Sequence, residues 1–467
     1  MIFHSLTYLV FLALVLGLYW SLPRRGQNIM LIFASYIFYG WEHPWFLLPL
    51  WASTLVDYSC ALAMERFPRR RRAFLILSIM ASIALLATFK YYGFALENIN
   101  AILTNFGEEP LRNALRLALP AGLSFYTFQS IGYVVDVYRG KVKAVRDLPD
   151  YALYVTFFPQ LVAGPIERAA HMLPQYRTDR RCDAETWRMA LGLMLWGYFK
   201  KVVIADNAAV VVNKIFAVEG ASFPIIWAGV FAFAIQIYAD FSGYTDIARG
   251  SARLLGIDLM RNFNHPYLST SPADFWRRWH ISLSTWLRDF IYIPLGGSRC
   301  STGRASFNLM ATFALSGLWH GASWNYVLWG IYWGALILVQ RFLGYLGLTR
   351  HVPWFAKVII TFGITCFGWL LFRERNLGQI VHDLAQSPFA ASGEQWRMGI
   401  YFVVLVSIYT LPLAVHMVAT GIPGWRIEPR LSDRGRFALE TAVGVLLLLG
   451  IVTLRSVATS DFIYFQF

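Results

Sequence analysis

Charged residues are scarce in this chain, and cysteines scarcer still. Asp, Glu, Lys and Arg make up 15% of the 467 residues against 57% hydrophobic residues, and the mean hydropathy is +0.48. A soluble chain of this length divides into about two or three domains with polar surfaces, so the composition points to lipid as the solvent. The four cysteines, Cys60, Cys182, Cys300 and Cys366, show no CxxC spacing. Neither a metal site nor a disulfide framework is therefore suggested, and Cys60 and Cys366 are expected as small buried hydrophobes. A nucleotide-binding loop, a low-complexity linker and a repeat period of about 20–50 residues are all missing, which reads as a single membrane domain over 1–467. The N-terminal MIFHSLTYLV has no Lys or Arg before its apolar run and no small-residue cleavage site after it. It is expected to stay as the first spanning helix and not to be removed as a signal peptide.

What charge there is runs positive, at a formal +14. Basic residues sit in short segments between apolar runs, a placement that sets orientation and meets anionic headgroups, so no nucleic-acid partner is expected and membrane lipid is. Aromatic residues reach 17%, including 18 Trp and 24 Tyr, which suits interfacial belts as well as a packed interior. A spanning helix needs roughly 20 apolar residues. Such runs lie near 5–22, 27–42, 44–64 and 73–89. Arg24 and Arg25 follow the first, and Arg66 with Arg69, Arg70, Arg71 and Arg72 follows the third. Both loops read as cytoplasmic, which puts the N-terminus outside.

The middle stretches, near 111–137, 150–165, 187–211 and 224–256, are interrupted by Pro, Gly and charge. Broken or re-entrant helices around an internal chamber are expected there, because irregular backbone at membrane depth needs protein or trapped water to satisfy it. Long runs return near 306–320, 323–345, 354–372, 398–420 and 437–454, giving about 11–13 segments in all. Arg426, Arg430, Arg434 and Arg436 make the last loop basic and cytoplasmic, so the C-terminal tail is expected outside.

Two segments carry the chemistry. PADFWRRWHISLSTWLRDFIYIPLGGSR, Pro272–Arg299, is too dense in Trp and Arg for a lipid-facing helix. From the residues alone it reads as an amphipathic interfacial element with Trp276, Trp279 and Trp286 in the headgroup layer. GLWHGASWNYVLWGIYWG, Gly317–Gly334, places His320 in an apolar run, where an ionisable group is costly and functional by default. A structural histidine bonded between helices is the alternative. Gly317 with Gly321, and Gly330 with Gly334, form GxxxG pairs that admit a neighbouring backbone or a ligand. Asp240, Ser242, Tyr244 and Asn325 are candidates to line a chamber; bracing broken helices is an equal reading of Asp240, Ser242, Tyr244 and Asp246 in YADFSGYTD. Lys200 and Lys201 read as positive-inside anchors or as attractors of a phosphate-bearing donor. Asp136 and Arg139 look like a helix end at the cytoplasmic face.

Six ordered stretches carry a resemblance: LPAGLSFYTFQSIGYVVDVYRG (Leu119–Gly140), FFPQLVAGPIER (Phe157–Arg168), YFKKVVIAD (Tyr198–Asp206), YADFSGYTDIARG (Tyr238–Gly250), FWRRWHISLSTWLRD (Phe275–Asp289) and LWHGASWNYVLWG (Leu318–Gly330). Over nearly its whole length the chain resembles the membrane-bound O-acyltransferases. Within them it resembles the branch of the alginate O-acetyltransferase and teichoic-acid D-alanyltransferase membrane subunits. The resemblance implies an all-α polytopic integral membrane protein, a ring of tilted and re-entrant helices around a central tunnel, in a bacterial inner membrane. It makes His320 the match for the family's active-site histidine. His280 matches the second histidine of the polysaccharide-acetylating branch, in a positioning role. It implies no bound cofactor and a cytoplasmic thioester, acetyl-CoA, as donor. The implied acceptor is alginate, cellulose, peptidoglycan or another exopolysaccharide. The implied partners are a periplasmic acetyltransferase and the polysaccharide synthesis machinery. A lipid or protein O-acyltransferase of the same superfamily is the alternative, and a transporter the rival from another class. The tail SDFIYFQF, Ser460–Phe467, resembles an aromatic C-terminal motif of this branch; it reads as an interfacial anchor, or as presenting Tyr464 for acylation or partner docking.

Overall fold

The computed structural model describes residues 1–112, 118–162, 164–181, 183–374, 376–422, 432–457 and 462–465. Cys182, Arg426, Arg430 and the tail residues Ser460, Asp461, Gln466 and Phe467 lie outside the described residues. Among those described, every regular element is helical. Seven runs are long and apolar enough to cross a membrane: Pro44–Arg66, Pro68–Asn105, Phe223–Leu254, Trp324–Tyr345, Trp354–Arg373, Gly393–Gly421 and Asp433–Leu454, with Leu6–Tyr19 as a shorter apolar helix. Among the described residues the spanning-length apolar helices are thus fewer than the 11–13 segments expected, and the other helices are shorter or more polar.

Contacts divide the chain into two units, the first comprising Met1–Leu191 and Ala248–Met260. Its helices are α1 (Leu6–Tyr19), α2 (Arg24–Gly40), α3 (Leu47–Arg66), α4 (Arg71–Leu86), α5 (Tyr92–Asn105), α6 (Leu123–Tyr138), α7 (Leu148–Thr156), α8 (Phe158–Leu161) and α9 (Ala169–Arg177). The Ser5 hydroxyl accepts the Tyr8 N–H at 3.1 Å and so starts α1. α4 and α5 join through a π-helical turn, Ala87–Tyr91, into one 38-residue run with Pro68–Arg70. The fourth apolar run is thus longer than expected. α6 ends at Tyr138 with Arg139 as its cap, in accord with a helix end at Asp136 and Arg139. Polar side chains tie this unit internally: the Tyr8 hydroxyl donates to Ser251 Oγ at 2.7 Å, and buried Glu167 accepts the Met260 N–H at 2.6 Å.

The second unit is Gly192–Ile247 and Arg261–Phe467. Here lie the end of α10 (Ala184–Tyr198), α11 (Asp206–Phe216), most of α12 (Phe223–Leu254), α13 (Pro272–Arg278), α14 (Ile281–Leu287), α15 (Thr302–His320), α16 (Trp324–Tyr345), α17 (Trp354–Arg373), α18 (Leu377–Ala385), α19 (Gly393–Gly421) and α20 (Asp433–Leu454). The expected interruption of 224–256 is corrected. α12 runs unbroken for 32 residues, and most of it is buried. Pro224 sits in its first turn, where a missing N–H removes no intrahelical bond, and its internal carboxylates are paired with lysines. A break falls between α13 and α14, whereas α10 runs on into α11 through the π-helical segment Phe199–Ala205. α20 exposes Val443, Leu446, Leu449 and Val452, an apolar surface suited to lipid. Cys60 and Cys366 are buried free thiols, as expected, and Cys300 is exposed.

Candidate active site

α15 and α16 form a helical hairpin whose contact is made by glycines. A Cβ on Gly317 would stand 2.9 Å from the Tyr326 carbonyl carbon and 3.2 Å from the Gly330 nitrogen; one on Gly330 would stand 2.9 Å from the Phe313 carbonyl carbon. The two GxxxG pairs therefore admit each other's backbone. His320 closes α15, and Gly321, extended at φ −160°, lets the chain turn into α16. At 4% exposure, the His320 imidazole is walled by Trp319, Trp329 and Phe372, with ring centroids 4.9, 5.0 and 5.3 Å away.

His280 stands at the break between α13 and α14 with φ 42°, in the left-handed region. That conformation costs of order 1–3 kcal/mol away from glycine and persists only where surroundings impose it. Here they do: Asn264 N–H donates to Arg278 O and Ile281 N–H to Asn262 O, both at 2.9 Å, so the 262–264 loop clips both sides of the break. The His280 ring is fully buried, 4.8 Å from Phe241 and 6.0 Å from Trp319. Burial pushes its imidazole down to about 3, so the ring is neutral at ordinary pH.

Between the histidines lies Tyr464. Its ring is 5.6 Å from His320 and 6.2 Å from His280, and it packs at 4.5 Å on Phe241. Burial, and after it the neighbouring Tyr326, raises the phenol well above its ordinary range, so the hydroxyl keeps its proton until a base removes it. Phe462 packs on Tyr244 at 4.2 Å, and the Ile463 N–H donates to Asp240 Oδ2 at 2.7 Å. Both aromatic residues and Ile463 thus face inward.

Two sequence readings change. Trp276, Trp279 and Trp286 are buried in protein, not set in a headgroup layer; Trp279 stacks on Phe275, which stacks on Trp333 at 4.8 Å. Lys200 and Lys201 are buried too and do not anchor at a surface. Lys200 pairs with Asp246 at 2.6 Å and Ser242 at 3.0 Å, while Lys201 lies 2.8 Å from Asp240 and 2.9 Å from Asp206. Asn325, also buried, donates to Leu371 O at 3.2 Å and ties α16 to α17. Asp206 went unread as a partner because it sits five residues after Lys201, a spacing that meets in a π-helical turn and not in an α-helix. The wall residues Trp319 and Trp329 belong to the LWHGASWNYVLWG motif and Phe241 to YADFSGYTDIARG; Phe372 carries no signal beyond apolarity.

A buried imidazole at a helix end, a second on strained backbone and a phenol near both bring together groups whose chemistry suits proton transfer. The sequence model of the membrane-bound O-acyltransferase family matches residues 143–373. The chain is 41% identical to the probable alginate O-acetylase of Pseudomonas aeruginosa, over 84% of this chain and 75% of that one. It is 36% identical to the peptidoglycan O-acetyltransferase of Helicobacter pylori, over 77% and 74%, and 27% identical to the teichoic acid D-alanyltransferase of Bacillus subtilis, over 54% and 68%. The chain belongs to the membrane-bound O-acyltransferase family: it is a multi-span membrane acyltransferase.

Proposed function

We propose that this acyltransferase takes an acetyl group from a cytoplasmic thioester, acetyl-CoA, and moves it across the inner membrane for O-acetylation of an extracytoplasmic polysaccharide. The observation that carries the proposal is the convergence of His320, His280 and Tyr464. The similarity to an alginate O-acetylase and a peptidoglycan O-acetyltransferase supports an acetyl group and a polysaccharide. In the step we infer, His320 removes the proton of the acceptor hydroxyl as its oxygen attacks the thioester carbonyl. The C–S bond then breaks, and the imidazolium returns the proton to the thiolate, leaving an ester and free CoA. His280 orients the reacting groups as a neutral hydrogen-bonding partner. Tyr464 is the first acceptor in this reading, and its aryl ester, a better leaving group than an alkyl ester, passes the acetyl on to a periplasmic acetyltransferase partner.

Tyr464→Phe tests the covalent role, because it keeps the ring among Phe241, Phe462 and His320 and removes only the hydroxyl. Mass spectrometry of wild-type protein incubated with labelled acetyl-CoA is expected to find acetyl on the peptide holding Tyr464. Normal polymer acetylation by the variant together with no acylated peptide would leave only docking or anchoring for the segment. In oriented vesicles, donor consumption from the opposite face would overturn the cytoplasmic donor and the assigned topology.

A further inference from the structure

Two carboxyl groups are buried around one ammonium. Lys201, Asp206 and Asp240 are each no more than 2% exposed, with the ammonium 2.9 Å from Asp206 and 2.8 Å from Asp240. One carboxylate is enough to balance the lysine, and burying a second is costly unless hydrogen bonds satisfy it. Asp240 has such a bond. With Oδ1 turned to Lys201, its Oδ2 accepts the Ile463 N–H at 2.7 Å. Ile463 opens a short 3-10 turn, Ile463–Phe465, whose first N–H groups find no acceptor within the turn. Since Ile463 is 1% exposed, water cannot readily replace the carboxylate. The same lysine lies 5.6 Å over the Tyr244 ring, on which Phe462 packs.

We propose that Asp240, oriented by Lys201, is a positioning residue: it clamps the backbone at Ile463 and thereby holds the Tyr464 phenol between His320 and His280. The inference rests on the reading of Tyr464 as acyl acceptor. The clamp is one residue from the reacting group, so little chain lies between them to absorb error. A misplacement of about 1 Å at a reacting centre is enough to lower turnover by roughly a hundredfold.

Ile463→Pro is the selective test. It deletes the one N–H donor and leaves the charged triad intact, at the first position of a helical turn, where proline fits. Ile463→Ala is its control, since it loses more side-chain volume yet keeps the N–H. For Ile463→Pro we expect kcat to fall about tenfold or more with the donor KM changed less than about twofold, and Ile463→Ala to stay within about threefold of wild type. Hydrogen exchange by mass spectrometry is expected to quicken in the peptide holding Tyr464 in Ile463→Pro. It should quicken also in Asp240→Asn, whose single carbonyl oxygen must serve either Lys201 or Ile463. Equal losses in Ile463→Pro and Ile463→Ala would assign the effect to packing and overturn the clamp. Wild-type kcat and exchange in Ile463→Pro would overturn it as well, whatever Tyr464→Phe does. Normal transfer by Tyr464→Phe beside quickened exchange in Ile463→Pro would retire the acceptor reading and keep the clamp.

Discussion

Gly317→Ala adds one methyl group where two helices already touch. Its Cβ would lie 2.9 Å from the carbonyl carbon of Tyr326, closer still to the oxygen, and 3.2 Å from the Gly330 nitrogen. Ordinary carbon contacts need about 3.5–4.0 Å, so α15 and α16 must part by roughly 1 Å, and the atoms that must yield are backbone. Overpacking of this kind costs about 1–3 kcal/mol, enough to lower a thermal midpoint measurably. The larger effect should be on chemistry. His320 is one helical turn from Gly317, while Phe372 and Trp329 on its other side belong to α17 and α16, so separating the hairpin moves the imidazole within its own wall. Acetyl transfer is expected to fall about tenfold to a hundredfold. Gly303→Ala supplies the control in the same helix: nothing lies within 4 Å of its added Cβ, and an alanine there should be neutral or stabilising by about 0.5–1 kcal/mol. Thermal melts in detergent and turnover with labelled acetyl-CoA would be read on both proteins. Equal midpoints and equal turnover for the two variants would refute the argument that Gly317 sets the helix approach and, through it, His320.

The GxxxG spacing makes that close approach legible in the sequence, because small residues one turn apart have few other uses in an apolar helix. The same logic failed for Pro272–Arg299. Tryptophan buries its ring equally well at a lipid headgroup or against another ring, and spacing along one helix does not say which; Trp333 and Trp369, which cover Trp276 and Trp279, are distant in sequence. The lysines were misplaced for a different reason. A Lys–Lys pair beside an apolar run has a surface position as its cheapest general solution, and only the π-helical turn that carries Lys201 round to Asp206, with α12 presenting Asp240 and Asp246, offers a cheaper one inside. His280 was found as a residue but not as a conformation. Its left-handed backbone depends on the 262–264 loop, a tertiary partner that no local pattern names. Tyr464 was singled out by the aromatic density around it, and its arrival between the histidines depends on Asp240, a residue in α12.

His320→Ala should insert normally and lose transfer by roughly a hundredfold or more, the scale of a missing general base; near wild-type turnover of the purified variant would make it a structural histidine. At position 280, Asn should outperform Ala and Gly in transfer, because Asn tolerates left-handed backbone and keeps a hydrogen-bonding group, whereas Gly meets only the first need; equal loss in all three would count against a positioning role. The partly exposed His171 is raised by its hydrogen bond to Glu167, so the bond stabilises fully below the unfolded value of 6.5 and fades as pH rises through the raised one. Wild type should accordingly lose its thermal advantage over His171→Gln on going from about pH 5.5 to about pH 8.5, and a pH-independent difference would refute the pairing. The last prediction concerns Lys201, which separates two carboxyls that are at most 2% exposed. Lys201→Met leaves both buried with no ammonium between them, and losing one partner of a buried ion pair costs about 3–5 kcal/mol. That is a large share of a typical folding free energy, so the yield of folded, detergent-extractable protein should collapse. Adding Asp206→Asn and Asp240→Asn removes the orphaned charges while keeping similar shapes, and should restore much of that yield. With Lys201 gone, the Asn carbonyl at position 240 has only the Ile463 N–H to accept, so the triple variant should regain part of its transfer along with its fold. A Lys201→Met protein as abundant and as heat-resistant as wild type would mean that the three groups do not share the buried charge balance that the distances describe.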